Sequence, residues 1–169
     1  MKACFIGHKH IEKSNELILL LKQTIIELIH KGVTTFLFGS MSEFDDLAWE
    51  VVTLLKQDFP FIKRIYVRAC FQYISKSYEE MLLKSYEETY FPIKLENAGK
   101  YAYVERNYEM INNSTFCIFY YDINYIPPLK PQSKHDLFKK RRNSGTKISY
   151  EYALKKKRNI INLCHTKKD

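Results

Sequence analysis

Thr35-Phe36-Leu37-Phe38-Gly39-Ser40-Met41-Ser42-Glu43-Phe44-Asp45-Asp46-Leu47-Ala48 decides the fold. An apolar, aromatic-rich run stops at a Gly-Ser pair, and apolar residues then recur at helical spacing through Phe44, Leu47, Ala48, Val51 and Leu55. The pattern is strand, tight turn, helix. Gly39 permits φ > 0 and lets a ligand approach the backbone, while the helix start offers unpaired N–H groups and a positive dipole end to an anion. The same residues also suit an ordinary capping turn, so the functional reading depends on other loops converging here.

The unit repeats on both sides of this stretch. Lys2 to Ile6 is a short strand ending at Gly7-His8-Lys9, followed by a helix capped at Ser14 or Asn15. Leu17, Leu20, Leu21, Thr24, Ile25 and Leu28 give that helix one apolar face, and Gly32 ends it. Val33 to Phe38 is the second strand, Met41 to Lys56 the second helix and Phe61 to Val67 the third strand. Ser75 to Tyr90 reads as an irregular helix, and Pro92 and Gly99 bound a loop before a helix at Tyr103 to Asn113. Thr115 to Tyr121 is a charge-free fourth strand of the kind covered on both faces. After a Pro- and Lys-rich loop from 122 to 143, Ser144-Gly145-Thr146 opens a helix to Lys157, and Asn159 to Cys164 is the fifth strand.

Alternating strands and helices imply an α/β, doubly wound, Rossmann-like parallel sheet of about five strands with helices on both faces. The expected order is 3-2-1-4-5, within a single domain covering residues 1–169. Ligands of such sheets bind where the order reverses, outside the carboxyl ends of the strands. Gly7-His8, Gly39-Ser40 and Tyr121-Asp122 belong on that edge.

At 169 residues and 46% apolar composition the chain can bury a core without metals or disulfides. No apolar run approaches the roughly 18 residues of a membrane span, and the N-terminus lacks a signal-peptide pattern, so a cytoplasmic protein with no membrane partner is expected. Cys4, Cys70, Cys117 and Cys164 contain no C-x-x-C pair and read as buried small hydrophobes, with neither metal nor cofactor expected. The net charge of +8 is concentrated between Lys130 and Arg158, in Lys130, Lys134, Lys139, Lys140, Arg141, Arg142, Lys147, Lys155, Lys156, Lys157 and Arg158. Such a segment is a solvated surface or an attractor of nucleic acid. Trp49 lies off the apolar stripe of its helix and is the candidate mark of a homodimer face.

Several groups converge on the expected crevice. Arg106 and Asn107 lie early in the helix that leads into the fourth strand, where a cation opposes the macrodipole and needs either a carboxylate partner or a ligand anion. Ser144-Gly145-Thr146 supplies hydroxyls and backbone N–H groups at another helix start, and His8 is a candidate donor. Together they suit an anionic, nucleotide-like ligand.

Four segments in this order, Cys4-Phe5-Ile6-Gly7-His8, Phe38-Gly39-Ser40 through Phe44-Asp45-Asp46-Leu47-Ala48, Arg106-Asn107-Tyr108-Glu109-Met110, and Ser144-Gly145-Thr146 with Tyr150-Glu151-Tyr152-Ala153, resemble the SLOG superfamily. That superfamily of Rossmann-like proteins groups the DNA-processing protein A domain with the LOG (lonely guy) proteins, and the chain is most similar to its small bacterial single-domain members. The resemblance implies binding of a nucleotide or nucleotide-derived molecule at Gly7, His8, Gly39, Ser40, Phe44, Asp45, Arg106, Asn107, Ser144, Gly145 and Thr146. LOG enzymes hydrolyse the N-glycosidic bond of nucleoside monophosphates and carry a Pro-Gly-Gly-x-Gly-Thr turn with a Glu two or three residues later. Here Ile148 and Ser149 occupy those positions. Glu151 falls on the next turn, within i±4 reach of Lys147 and Lys155. If the chain is a hydrolase, Glu43, Asp45 and Arg106 are the candidate catalytic groups, with Asp45 also suited to a ribose hydroxyl. A binding module, a nucleotide N-glycosidase and a single-stranded nucleic-acid binder are the three functions this reading leaves, in that order.

Overall fold

Each strand alternates its side chains between two helical layers, and that alternation sets the architecture. In the computed structural model, which describes residues 1–93, 95, 99–127 and 143–164, β1 (Lys2–Gly7) sends Ala3 and Phe5 to one face and Cys4 and Ile6 to the other. The first face packs on α1 (Asn15–His30) and α2 (Glu43–Leu55), through Phe5, Phe36, Phe38, Phe44 and the apolar stripes of both helices. The second packs on α4 (Lys100–Asn112) and α5 (Gly145–Lys155), through Leu37, Val67, Met110, Cys117, Phe119 and Ala153. Ser14 caps α1 by accepting from Leu17 N. Gly32, at φ 91°, closes it, with its amide on Ile29 O and Val33 N on Leu28 O.

The strands β2 (Thr35–Phe38), β3 (Lys63–Val67), β4 (Glu88–Tyr90), β5 (Phe116–Tyr120) and β6 (Asn159–Asn162) complete one parallel sheet in the order β4-β3-β2-β1-β5-β6. The doubly wound arrangement matches the expectation, with one strand added at the edge. The stretch Ser75 to Tyr90, read as helix throughout, divides into α3 (Lys76–Leu83) and β4. Three residues are too few for a period-two signal. Glu87 then ties the new strand down: its Oε2 accepts from Arg64 N at 2.6 Å, and its Oε1 accepts from Arg64 Nη2 at 2.8 Å and pairs with Lys56 Nζ at 3.2 Å.

The order reverses between β1 and β5, whose registers run Ala3 to Phe116 through Gly7 to Tyr120. Among the described residues no helix is long and apolar enough to cross a membrane. Lys130, Lys134, Lys139, Lys140, Arg141 and Arg142 of the basic loop lie outside the described residues. Of the cysteines, Cys4 and Cys117 are buried on adjacent strands, whereas Cys70 is exposed and Cys164 half-buried. Cys70 departs from the expectation because it falls in the loop beyond β3, where the sheet no longer covers it. Trp49 is engaged within its own chain, its Nε1 donating to Ser85 O at 3.0 Å and its ring 5.6 Å from the Arg64 guanidinium.

Candidate functional site

A cavity of about 220 Å³ opens at the carboxyl ends of β1 and β5. Gly7, His8 and Lys9 form its floor after β1, and Met41, Ser42 and Asp45 line it from the start of α2. Tyr103, Arg106 and Asn107 come from α4, Tyr125 and Pro127 from the segment after β5, and Ser144, Gly145 and Thr146 from the start of α5. Eight of the sequence-derived candidates are thus drawn to one place. Gly39, Ser40, Phe44 and Glu43 are not part of the wall.

Arg106 explains the place of Gly39. Because α4 begins at Lys100, Arg106 sits in its second turn and points into the protein, 3% exposed. Its Nη1 donates to Gly39 O at 2.5 Å and to Val67 O at 3.4 Å, and its Nε donates to Asn107 Oδ1 at 3.0 Å. It therefore ties the carboxyl ends of β2 and β3 together. A Cβ on Gly39 would lie 2.6 Å from Nη2, and closer still to Cζ and Nη1. Gly39 does not adopt a left-handed backbone; Ser40 does, at φ 48°. The glycine makes room for a guanidinium. Gly7 likewise makes room for Phe44, which is fully buried and within 2.5 Å of where a Gly7 Cβ would be.

The α2 start forms a reciprocal cap. Ser42 Oγ accepts from Asp45 N at 3.1 Å and donates to Asp45 Oδ2 at 3.2 Å, and Met41 N approaches Oδ2 at 3.5 Å. Asp45 is 6% exposed, and its Oδ1 has no hydrogen-bond partner among the described residues. Burial pushes its carboxyl up to about 6, against the pull of the Arg106 guanidinium and the bonds from Met41 and Ser42. Glu43 turns away. Its carboxylate accepts from Ile11 N at 2.9 Å and meets His10 Nδ1 at 3.0 Å, contacts that lower its pKa and pin the β1–α1 loop. Asp46 is exposed, as a solvated helix residue should be.

His8 is fixed from the other side. Asp122 N donates to His8 Nε2 at 3.0 Å, so Nε2 carries the lone pair and the neutral ring bears its proton on Nδ1. Burial lowers the imidazole pKa, opposed by Asp122. The ring lies against Tyr125 with centroids 3.9 Å apart and planes at 22°. His8 is 2% exposed, and Nδ1 is without a partner among the described residues. A buried donor and a buried acceptor thus stand unpaired beside one cavity, each at a cost of about 1–3 kcal/mol until something satisfies it.

The third wall is a helix end. Ser144 Oγ accepts from Lys147 N at 3.1 Å and Ser144 O from Ile148 N, so among the described residues the amides of Gly145 and Thr146 remain as the open donors of α5. Nothing lies within 4 Å of a Cβ placed on Gly145. Thr146 Oγ1 donates to Gly7 O at 2.9 Å, joining α5 to the end of β1. Asn107 Nδ2 donates to Ser149 Oγ at 3.0 Å, and Ser149 Oγ donates to Gly145 O at 2.8 Å. This relay links the Arg106 guanidinium to the α5 start. Glu151 lies on the surface with Lys147 Nζ at 4.0 Å.

The fold resembles that of DNA processing protein A. The solved Helicobacter pylori protein, described by its single-stranded DNA binding mode, matches with a TM-score of 0.56 at 16% identity. The match covers 95% of this chain and 63% of that one, so this chain spans less than two thirds of its neighbour's length. At that identity the likeness establishes the fold. No family model and no curated protein matches the chain.

Beyond those candidates, the wall also takes in Phe5, Ile6, Lys9, Met41, Ser42, Tyr103, Tyr125 and Pro127. The sequence reading begins α2 at Met41 and so passes over Ser42, although its Ser-x-x-Asp spacing is a capping signal; Lys9 reads as part of the turn after β1. Tyr103 and Tyr125 carry no local signal, because their place depends on where α4 begins and how the segment after β5 folds back over His8. Among the described residues no cluster of His, Cys, Asp and Glu could hold a metal ion.

Proposed function

We propose that the protein binds a nucleotide or nucleotide-derived ligand in this cavity, as a SLOG-type Rossmann protein. The observation that carries the reading is the pair of unsatisfied buried atoms, His8 Nδ1 and Asp45 Oδ1, beside a cavity that also receives the open amides of α5. A phosphate on the Gly145 and Thr146 amides needs no cation, because the helix end supplies donors and a partial positive charge. A sugar hydroxyl both donates and accepts, which suits a carboxylate oxygen and an imidazole N–H. Tyr103 and Tyr125 offer ring faces to a base.

Titration calorimetry with nucleoside monophosphates tests this. Folded wild type should bind, Gly145→Val should weaken binding about tenfold or more by blocking the backbone approach, and Asp45→Asn should weaken the nucleotide about tenfold relative to its effect on sulfate, the worth of one hydrogen bond to a charged group. No binding at millimolar ligand, or the absence of these losses in both variants, overturns it. The same samples report on hydrolysis: a carboxyl near 6 is suited to general acid work, and release of free base lost in Asp45→Asn would make the protein an N-glycosidase.

A second reading is single-stranded nucleic-acid binding, supported by the fold likeness and the charge of +8. Each phosphate contact adds about 0.7 to the slope of log affinity against log salt. A slope of several units, reduced by neutralising Lys139, Lys140, Arg141 and Arg142, favours it; absence of binding at low salt removes it.

A further inference from the structure

We propose that the ligand has two nucleoside-sized units joined through phosphate, and that it straddles the start of α5. This rests on the reading of the first cavity as a nucleotide site. A second cavity, of about 190 Å³, adjoins the first and shares Tyr125, Pro127 and Ser144 with it. Each alone is below the roughly 300–1,000 Å³ of sites for drug-sized ligands, whereas the two together reach that range. The shared wall is the helix end. Ser144 lines both spaces, Gly145 and Thr146 line the first, and Lys147 lines the second. A linking phosphate at this point would receive the open amides, with one unit on either side.

The second cavity has the chemistry of a base site. Ile123 and Ile126, 70% and 65% exposed, offer apolar surface, while Asn124 and Asn143 offer amides that pair with base edges. An Asx turn sets this segment, with Asn124 N donating to Asp122 Oδ1 at 2.8 Å while Asp122 N holds His8. The loop that orients the first site's imidazole therefore also builds the second site. Among the described residues the ion pair of Lys147 is the long, exposed one with Glu151 at 4.0 Å, which leaves its ammonium able to turn toward a phosphate. The unsatisfied His8 Nδ1 and Asp45 Oδ1 supply independent evidence that the first side is a ligand site.

Two sources carry this ligand chemistry: a free dinucleotide and a step of a single strand. The test uses the full chain in calorimetry with a nucleoside monophosphate, the matching dinucleoside monophosphate and diphosphate, and a single-stranded oligonucleotide of the same base, for each common base. Wild type should bind a two-unit ligand at least about tenfold more tightly than the monophosphate, because the second unit is held at the effective concentration set by the first. In Ile123→Asp and Asn124→Ala that ratio should fall toward one. A free dinucleotide binding as tightly as the oligonucleotide identifies the small molecule as the source; tighter oligonucleotide binding with a steep salt slope identifies the strand. Monophosphate and two-unit ligands binding equally to wild type overturns the inference and leaves the first cavity's reading intact. Binding of none of them overturns both.

Discussion

Gly39→Ala should destabilise the protein strongly, while Gly145→Ala should not. At Gly39 the added methyl would enter the space of the Arg106 guanidinium, 2.6 Å from Nη2, so the guanidinium must withdraw. It is 3% exposed and cannot exchange its bonds to Gly39 O and Val67 O for water. Overpacking costs about 1–3 kcal/mol, and loss of a hydrogen bond to a charged group about 1.5–3 kcal/mol. Taking about 3 kcal/mol as the combined effect, Tm should fall about 6–12 °C for a domain of this size. Gly145 has open space around it and no left-handed backbone, so alanine there should leave Tm unchanged or raise stability by about 0.4–1 kcal/mol. Thermal and urea unfolding followed by circular dichroism measure both. In an Arg106→Leu background the Gly39→Ala penalty should shrink by about 2 kcal/mol, since the group it strikes is gone. If Gly39→Ala melts within about 2 °C of wild type, or the penalty persists without Arg106, the account of Gly39 as room for a guanidinium is refuted.

Asp45 should give stability an inverted pH dependence. Its folded pKa of about 6 is above the ordinary 3.8, so its contribution is full below about pH 4 and is lost as pH rises through 6, by at most about 3 kcal/mol. Urea titrations at pH 4 to 7 should show a slope that Asp45→Asn flattens. Glu87 acts oppositely: burial raises its carboxyl, but the bonds from Arg64 outweigh this and set it at about 2, so its contribution is present above about pH 4.5 and lost on acidification toward 2. Glu87→Gln should lower stability at pH 7 by about 2 kcal/mol, because Arg64, 9% exposed, loses its main acceptor; an unchanged unfolding midpoint would contradict that. Asn107→Ala and Ser149→Ala should each cost about 1–3 kcal/mol and be coupled by at least about 0.5 kcal/mol, and additive effects in a double-mutant cycle would break the relay to α5.

The sheet was legible because its signals are local. Runs such as Phe36 to Phe38 and Phe116 to Tyr120 each end at a turn, and Leu17, Leu21, Ile25 and Leu28 mark a helix face without reference to anything distant. What escaped depends on long-range partners. β4 is three residues long and is defined by pairing with β3, so no period could reveal it. Arg106 was legible as a cation in need of a partner, but its acceptor, Gly39 O, lies 67 residues away. The glycines carried an ambiguous signal. Gly7 and Gly39 suggested backbone approach by a ligand, and the approaching groups are Phe44 and Arg106 of the same chain, leaving Gly145 as the glycine of this set with open space before it.

This arrangement determines which group balances a ligand's charge. Burial lowers the Arg106 pKa, and the charge of nearby Asp45 opposes that shift, so at neutral pH the guanidinium and the ionised carboxylate largely cancel. The α5 amides then supply most of the remaining positive potential at the cavity. As pH falls through about 6 the carboxylate is protonated and the guanidinium becomes uncompensated, so anion affinity should rise. Sulfate isolates this effect, because it has no hydroxyl to offer Asp45 and does not titrate in this range. Its affinity, followed by the Tm shift it produces, should increase from pH 7 to pH 5 by on the order of 1 kcal/mol, or about fivefold. Protonation of His8 would act in the same direction, but burial has lowered its pKa, and Asp45→Asn separates the two. With Asp45→Asn the guanidinium is uncompensated at every pH, so sulfate should bind more tightly at pH 7 and lose its pH dependence. A dependence that survives in Asp45→Asn would assign it to His8 and remove the carboxylate from the electrostatics of the site.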